Sequence, residues 1–203
     1  MVTVGIISRC SIENYRWLLH FLYTFLPEVN VRTVTITNHS AMSISGISFA
    51  ILYHSKTRGR LNVIDVTDSL YDSELKELSY TLGAENVIVV MDDLDDNSEQ
   101  VKSKLLENQH SIGILARELF LFSIQEKQDG DINPTNVANK SKIKAMITGR
   151  AADSHISHIY SDYTESSCKM YPNRLVVSSF IIPVMLCLFL FALYWYNCRV
   201  LQC

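Results

Sequence analysis

The sequence predicts an α/β domain of three-layer, flavodoxin-like or Rossmann-like layout with a mostly parallel sheet. A flexible polar tether and one C-terminal transmembrane helix are expected to follow. Three observations carry this reading. Short apolar runs rich in β-branched residues alternate with segments of helical periodicity, the order of βαβ units. The strand-like runs are apolar nearly throughout, as strands covered on both faces are. The run Leu175–Tyr196 contains no charged residue. These features divide the chain into a domain over 1–123, a tether over 124–174, a membrane helix over 175–196 and a short tail over 197–203.

Val2–Ser8 reads as the first buried strand. Ser11 offers an N-cap for a helix over Ile12–Leu26, where Tyr15, Leu18, Leu19, Leu22, Phe25 and Leu26 recur at helical spacing. Pro27 stops that helix. Val29–Thr37 and Ile47–Tyr53 are the next strands, joined by the small polar loop Asn38–Gly46. Leu61–Val66 is expected to add a short strand. Asp68 or Ser69 opens a helix to Leu82, which Gly83 ends. Asn86–Met91 (NVIVVM) is a further strand. Asn97 or Ser98 caps a helix to Gln109, and Ile112, Leu115, Leu119 and Phe122 place another over Ser111–Ser123. Beyond Ser123 the composition turns to Asn, Asp, Lys, Gln and Ser, with one apolar island at Ile143–Gly149, and predicts a tether.

Charge and cysteine usage bound the function. A net charge of −3, from 18 basic and 21 acidic residues, argues against a nucleic-acid binder, which is usually basic. Of the 5 cysteines, only Cys10 lies in the predicted domain, so no disulfide framework is expected there. The N-terminal apolar run ends at Ser8-Arg9, too short for a signal-peptide core. The domain is therefore expected in the cytosol, held to a lipid bilayer by its tail. At about 1.5 Å per residue the charge-free run reaches about 33 Å, enough for a hydrocarbon core of about 30 Å. Tyr194, Trp195 and Tyr196 supply an interfacial aromatic belt. Cys198 and Cys203, just beyond it, are S-acylation candidates. Two sequons, at Asn38 and Asn139, would report translocation of the domain.

Ligands of open α/β sheets bind outside the carboxyl ends of the strands, which selects three segments. Cys10 and Arg16 have the C-x5-R spacing used by cysteine-dependent phosphatases, with a thiolate at a helix N-terminus and an arginine clamping phosphate. Against that chemistry, Ile12, Glu13 and Tyr15 stand where a phosphate loop needs small residues. The basic loop His54–Arg60 offers Lys56, Arg58 and Arg60 to an anionic group or partner. Asp92 and Asp93 follow an apolar strand and have the oxygen chemistry to hold Mg²⁺, with Asp65 and Asp68 as additional acids. No Gly-x-Gly-x-x-Gly or Gly-x4-Gly-Lys-Ser/Thr motif accompanies them, and these motifs predict no cofactor. His155 and His158 have metal-ligand spacing but stand in the predicted tether with only Cys168 near them.

Two functions compete on these grounds. One is a tail-anchored, single-pass protein whose cytosolic domain is a protein-interaction or signalling module, analogous in architecture alone to TIR and receiver domains. Its basic and acidic loops would meet cytosolic partners or dock a second copy of the chain, helped by clustering on the membrane. The other is a phosphoryl- or nucleotide-processing enzyme using Cys10 and Arg16, or Mg²⁺ on Asp92 and Asp93.

Overall fold

The computed structural model describes residues 2–37, 42–128 and 134–149. The predicted membrane helix over 175–196, the acylation candidates Cys198 and Cys203, and His155 and His158 lie outside the described residues. Among the described residues no helix is long and apolar enough to cross a membrane.

In chain order the elements are β1 (Thr3–Ser8), α1 (Arg16–Phe25), β2 (Asn30–Thr35), β3 (Phe49–Ser55), α2 (Asp72–Leu82), β4 (Val87–Leu94), α3 (Glu99–Asn108), α4 (His110–Leu115), β5 (Glu118–Ser123), α5 (Ile124–Gln128) and α6 (Pro134–Thr148). Single 3₁₀ turns at Lys56–Arg58 and Ala84–Asn86 follow β3 and precede β4. The strands form one 5-stranded sheet in the order β2-β1-β3-β4-β5, with every pairing parallel. The chain winds outward from β1 in both directions, so the order reverses between β1 and β3.

Side chains alternate across the three inner strands and β5, and each face carries its own core. On one face Ile7, Ala50, Leu52, Val87, Val89, Leu119 and Leu121 pack under Leu75 and Leu78 of α2, Leu105 of α3 and Ile112 of α4. On the other, Val4, Ile6, Phe49, Ile51, Tyr53, Ile88, Val90, Phe120 and Phe122 meet Leu18, Phe21 and Leu22 of α1, together with Ile143 and Ile147 of α6. Gly5 in β1 is required by this packing, because a Cβ there would stand 2.5 Å from Ile47 Cδ1.

The second face explains why packed structure continues past Ser123, where the composition predicts a tether. One helix, α1, cannot cover the apolar flank of five strands. Helix α6 supplies the missing cover: Ile143 is fully buried and Ile147 nearly so. The Lys140 ammonium lies 5.8 Å from the ring centroids of both Trp17 and Phe21. Polar residues dominate the α6 sequence because only a narrow stripe of it is buried.

Three other expectations are corrected. The segment Ser111–Ser123 is a short helix followed by β5, not one helix. Leu119–Phe122 is an apolar run buried on both sides, and its spacing matches a helical pattern only by coincidence with Ile112 and Leu115. Leu61–Val66 is a loop, since the amides of Val63 and Ile64 donate to Gln109 Oε1 rather than to a neighbouring strand. Helix α1 begins at Arg16, not Ile12. Ser11 does not cap it: the Ser11 hydroxyl donates to Asn14 Oδ1 within a separate turn. Gly83 ends α2 as expected, at φ 83°.

If α6 belongs to the core, Ile143→Ala should cost about 2–5 kcal/mol, the usual cost of emptying a buried isoleucine site. Urea denaturation of the domain checks this; a change within about 0.5 kcal/mol, as for a surface position, would mean α6 is dispensable.

Candidate functional site

Strands β1, β3 and β4 are neighbours, so the three segments selected from the sequence meet at one edge of the sheet. The contacts there are dense. Asn14 Nδ2 donates to Thr57 Oγ1 at 3.0 Å, and Arg58 Nη1 donates to the Arg9 carbonyl at 2.7 Å. These bonds bridge the crevice between β1 and β3, where the strand order reverses.

The centre of the edge is an acidic pair held by a lysine. In a regular strand Asp92 and Asp93 would face opposite ways. Here the β4–β5 register shifts between Met91 and Leu94, and Asp93 adopts φ 59°. Met91 and Leu94, an odd number of positions apart, consequently pack in the same core. This bulge lets both carboxylates reach Lys127. The Lys127 ammonium donates to Asp93 Oδ1 at 2.7 Å, contacts Asp92 Oδ2 at 3.0 Å and reaches the Asn14 carbonyl at 3.3 Å.

The two acids differ sharply in environment. Asp92 is fully buried. Its Oδ2 also accepts from Trp17 Nε1 at 2.8 Å and from the Tyr53 hydroxyl, while its buried Oδ1 has no hydrogen-bond partner. Burial pushes the Asp92 pKa up to about 6, against the bonds from Tyr53 and Lys127. The same burial, with the Asp92 charge, pushes the Tyr53 phenol up. Burial also acts to raise Asp93, but the bonds from Lys127 and Ser55 outweigh it and hold that carboxyl below its usual range.

Beside this pair the basic loop divides into two kinds of cation. Lys56 pairs with Asp95. Arg58 and Arg60 donate to carbonyl groups, Arg58 to Arg9 and Arg60 to Thr67 at 3.0 Å and to Asp68. Behind them, Arg9 pairs with Glu74 at 2.6 Å and donates through Nε to the Leu70 carbonyl at 2.8 Å. His54, nearly fully buried, lies 3.0 Å through Nε2 from the Arg60 carbonyl. Burial pushes its pKa down to about 4. Burial likewise pushes the Tyr71 phenol, beside His54, up to about 12.

The structure therefore brings together Lys56, Arg58, Arg60, Asp92 and Asp93. It does not unite Cys10 with Arg16. Cys10 is 3 % exposed within the α1 core and precedes the start of α1 at Arg16. The Arg16 side chain is 71 % exposed and pairs with Glu13. Asp65 is also removed from the acidic pair: it accepts from the Ser111 amide at 2.7 Å and from its hydroxyl at 2.6 Å. Among the described residues no group of three or more His, Cys, Asp or Glu side chains is placed to hold a metal ion.

Sequence reasoning missed Lys127, Tyr53 and Trp17. The signal for Lys127 is the LFLF run: as a strand it sets Lys127 just beyond its carboxyl end, where a ligand-edge residue is sought. No protein-family model, curated protein or solved structure matches the chain.

Two buried groups make opposite predictions for stability against pH. Asp92, raised to about 6, binds its proton more tightly when folded, so its contribution falls as pH rises from about 4 to 6. His54, lowered to about 4, binds its proton less tightly when folded, so its contribution rises from about pH 4 to 6.5. Each is on the order of 3 kcal/mol, and in the native chain they largely cancel. Asp92→Asn should unmask a rise in stability across that window, and His54→Gln a fall. Urea melts at several pH values check both slopes; parallel profiles for the two variants would refute the assignment.

Proposed function

We propose that the chain is a tail-anchored, single-pass membrane protein whose cytosolic α/β domain is a protein-interaction or signalling module. Its docking surface is the basic loop, through Arg58 and Arg60, and its partner is an acidic cytosolic protein surface. The strand order supports a flavodoxin-like layout, in which ligands and partners meet the carboxyl edge at the reversal point. The charge-free run Leu175–Tyr196 supports the anchor.

The observation that carries this reading is the division of charge along that edge. Asp92, Asp93, Asp95 and Glu74 each have a cation of the same chain. Arg58 and Arg60 are exposed and donate only to carbonyl groups, which hold the side chains without neutralising them. No carboxylate pairs with either among the described residues. A guanidinium fixed in direction but left charged is suited to carboxylate recognition. Lys56 drops out of the surface, because Asp95 already neutralises it.

Head-to-tail docking of the basic loop on the acidic loop of a second copy loses its main support for the same reason. Within one molecule Lys56 already pairs with Asp95, and Lys127 already pairs with Asp92 and Asp93. The Cys10–Arg16 form of the enzyme reading is not carried forward, since Cys10 is buried and Arg16 is exposed and paired with Glu13.

The test is quantitative co-purification of partners from cytosol by the full chain at low and moderate salt. Arg58→Ala combined with Arg60→Ala should lower recovery roughly tenfold and flatten its salt dependence. Lys56→Ala should change it little. Unchanged recovery in the double variant would overturn the docking surface. A fluorescent fusion lacking Leu175–Cys203 should leave the membrane for the cytosol; retention would overturn the anchor.

A further inference from the structure

We propose that the layer formed by α1 and α6 is the membrane-facing surface of the domain, and that Lys142 and Lys144 rest it on anionic lipid headgroups. The inference deepens the tail-anchored reading above and rests on it. Charge is divided between the two helical layers. On one face of the sheet α2 and α3 carry Asp72, Glu74, Glu77, Glu99 and Glu107. On the other, neither α1 nor α6 contains an acidic residue, in a chain whose net charge is −3. Glu13, which flanks α1, is neutralised by Arg16, leaving Glu28 as the acid next to α1 in sequence. Lys142 is exposed and Lys144 half-buried, and neither pairs with a carboxylate among the described residues. Lys140, by contrast, lies over the Trp17 and Phe21 rings.

The path of α6 points the same way. Asn136 Nδ2 donates to the Glu126 carbonyl at 3.1 Å, beyond the carboxyl end of β5, and Asn139 Nδ2 donates to the Leu121 carbonyl at 3.4 Å, within β5. The helix therefore runs back along the strands, and Gly149 follows it, at φ 66°, toward their amino ends. Arg58 and Arg60 stand at the opposite, carboxyl edge. Helix α1 links the carboxyl end of β1 to the amino end of β2 and runs in the same direction. In its last turn Tyr23 is 58 % exposed, an amphipathic ring of the kind that sits at headgroup level. Residues 150–174 span at most about 90 Å when fully extended, so an anchor at Leu175 keeps the domain within reach of the bilayer and a weak contact is enough. A domain resting on α1 and α6 leaves its carboxyl edge open to a cytosolic partner.

The test uses the full chain reconstituted in vesicles of phosphatidylcholine, alone or with phosphatidylserine, each carrying a lipid with a dansyl-labelled headgroup. Trp195→Phe leaves Trp17, on α1, as the remaining tryptophan, and energy transfer from Trp17 to dansyl reports how near this layer lies to the headgroups. Transfer should be stronger in the anionic vesicles and should fall to the neutral-vesicle value as salt is raised. Lys142→Gln combined with Lys144→Gln should lower the ratio of docked to undocked domain about thirtyfold, from about fivefold per lysine. Arg58→Ala combined with Arg60→Ala should leave that ratio unchanged.

Equal transfer in the two lipids, transfer that salt does not weaken, or the native value kept in the lysine variant would overturn the proposal. So would a loss in the arginine variant, which would assign the headgroup contact to the basic loop. Should the double lysine variant fail to fold, Lys142→Gln alone, at an exposed site, should show the fivefold loss, and no loss overturns the proposal. Flotation with the neutral vesicles separates the two readings. A chain that does not float refutes the anchor and this inference with it, whereas a floating chain with equal transfer refutes the lysine surface and leaves the anchor standing.

Discussion

A parallel sheet of apolar strands has to be covered on both faces, and that requirement organises this molecule. Helices α2, α3 and α4 cover one face. The other face has α1 and lacks a second helix until the chain has passed β5. Helix α6 therefore has to return across the sheet, whatever its composition. The route to α6 carries the chain over the carboxyl edge as α5, and α5 brings Lys127 to the acidic pair. Glu126, on the same turn, accepts from Asn97 Nδ2 at 2.7 Å and from the Ser123 amide at 2.9 Å. The covering of a hydrophobic face thus places the central cation of the site.

The edge itself is shaped by the β4 bulge. Without it, the alternation of a strand would send one of the two aspartates away from Lys127. With it, one acid lies buried against Tyr53 and Trp17, and the other is held by Ser55 and Lys127. Neighbouring carboxylates in such unequal surroundings ionise differently, as their opposite pKa displacements show. Aspartate tolerates positive φ better than most residues, and Asp65 and Asp68 use the same freedom at φ 56° in the loop before α2.

That loop gives the basic surface its rigidity. Gln109, fully buried, accepts from the amides of Val63 and Ile64 and donates to the Leu61 carbonyl. Asp65 ties the loop to α4 through Ser111. Arg60 closes it by donating to Thr67 and Asp68. A charged loop held this firmly presents its guanidinium groups at little entropic cost, which is the physical basis for reading it as a docking surface.

The sequence by itself determined the fold class, four of the five strands and the location of the ligand edge. Val4–Ile7, Phe49–Tyr53 and Val87–Met91 are short apolar runs rich in β-branched residues and bounded by polar ones, the pattern of strands buried on both faces. It placed Arg58, Arg60, Asp92 and Asp93 at that edge because strand ends are legible wherever apolar runs stop. It also recorded the charge-free C-terminal run. The tertiary structure alone decided which charges neutralise one another, since Lys56–Asp95 and Lys127–Asp93 join residues far apart in the chain and no local pattern encodes their distance. It decided that Cys10 is core and Arg16 is surface, because a start of α1 at Arg16 rather than Ile12 changes where both side chains stand. It decided, finally, that the polar segment over 134–148 is a structural helix. Its buried stripe is Asn136, Lys140, Ile143 and Ile147, and a stripe that narrow is invisible in composition.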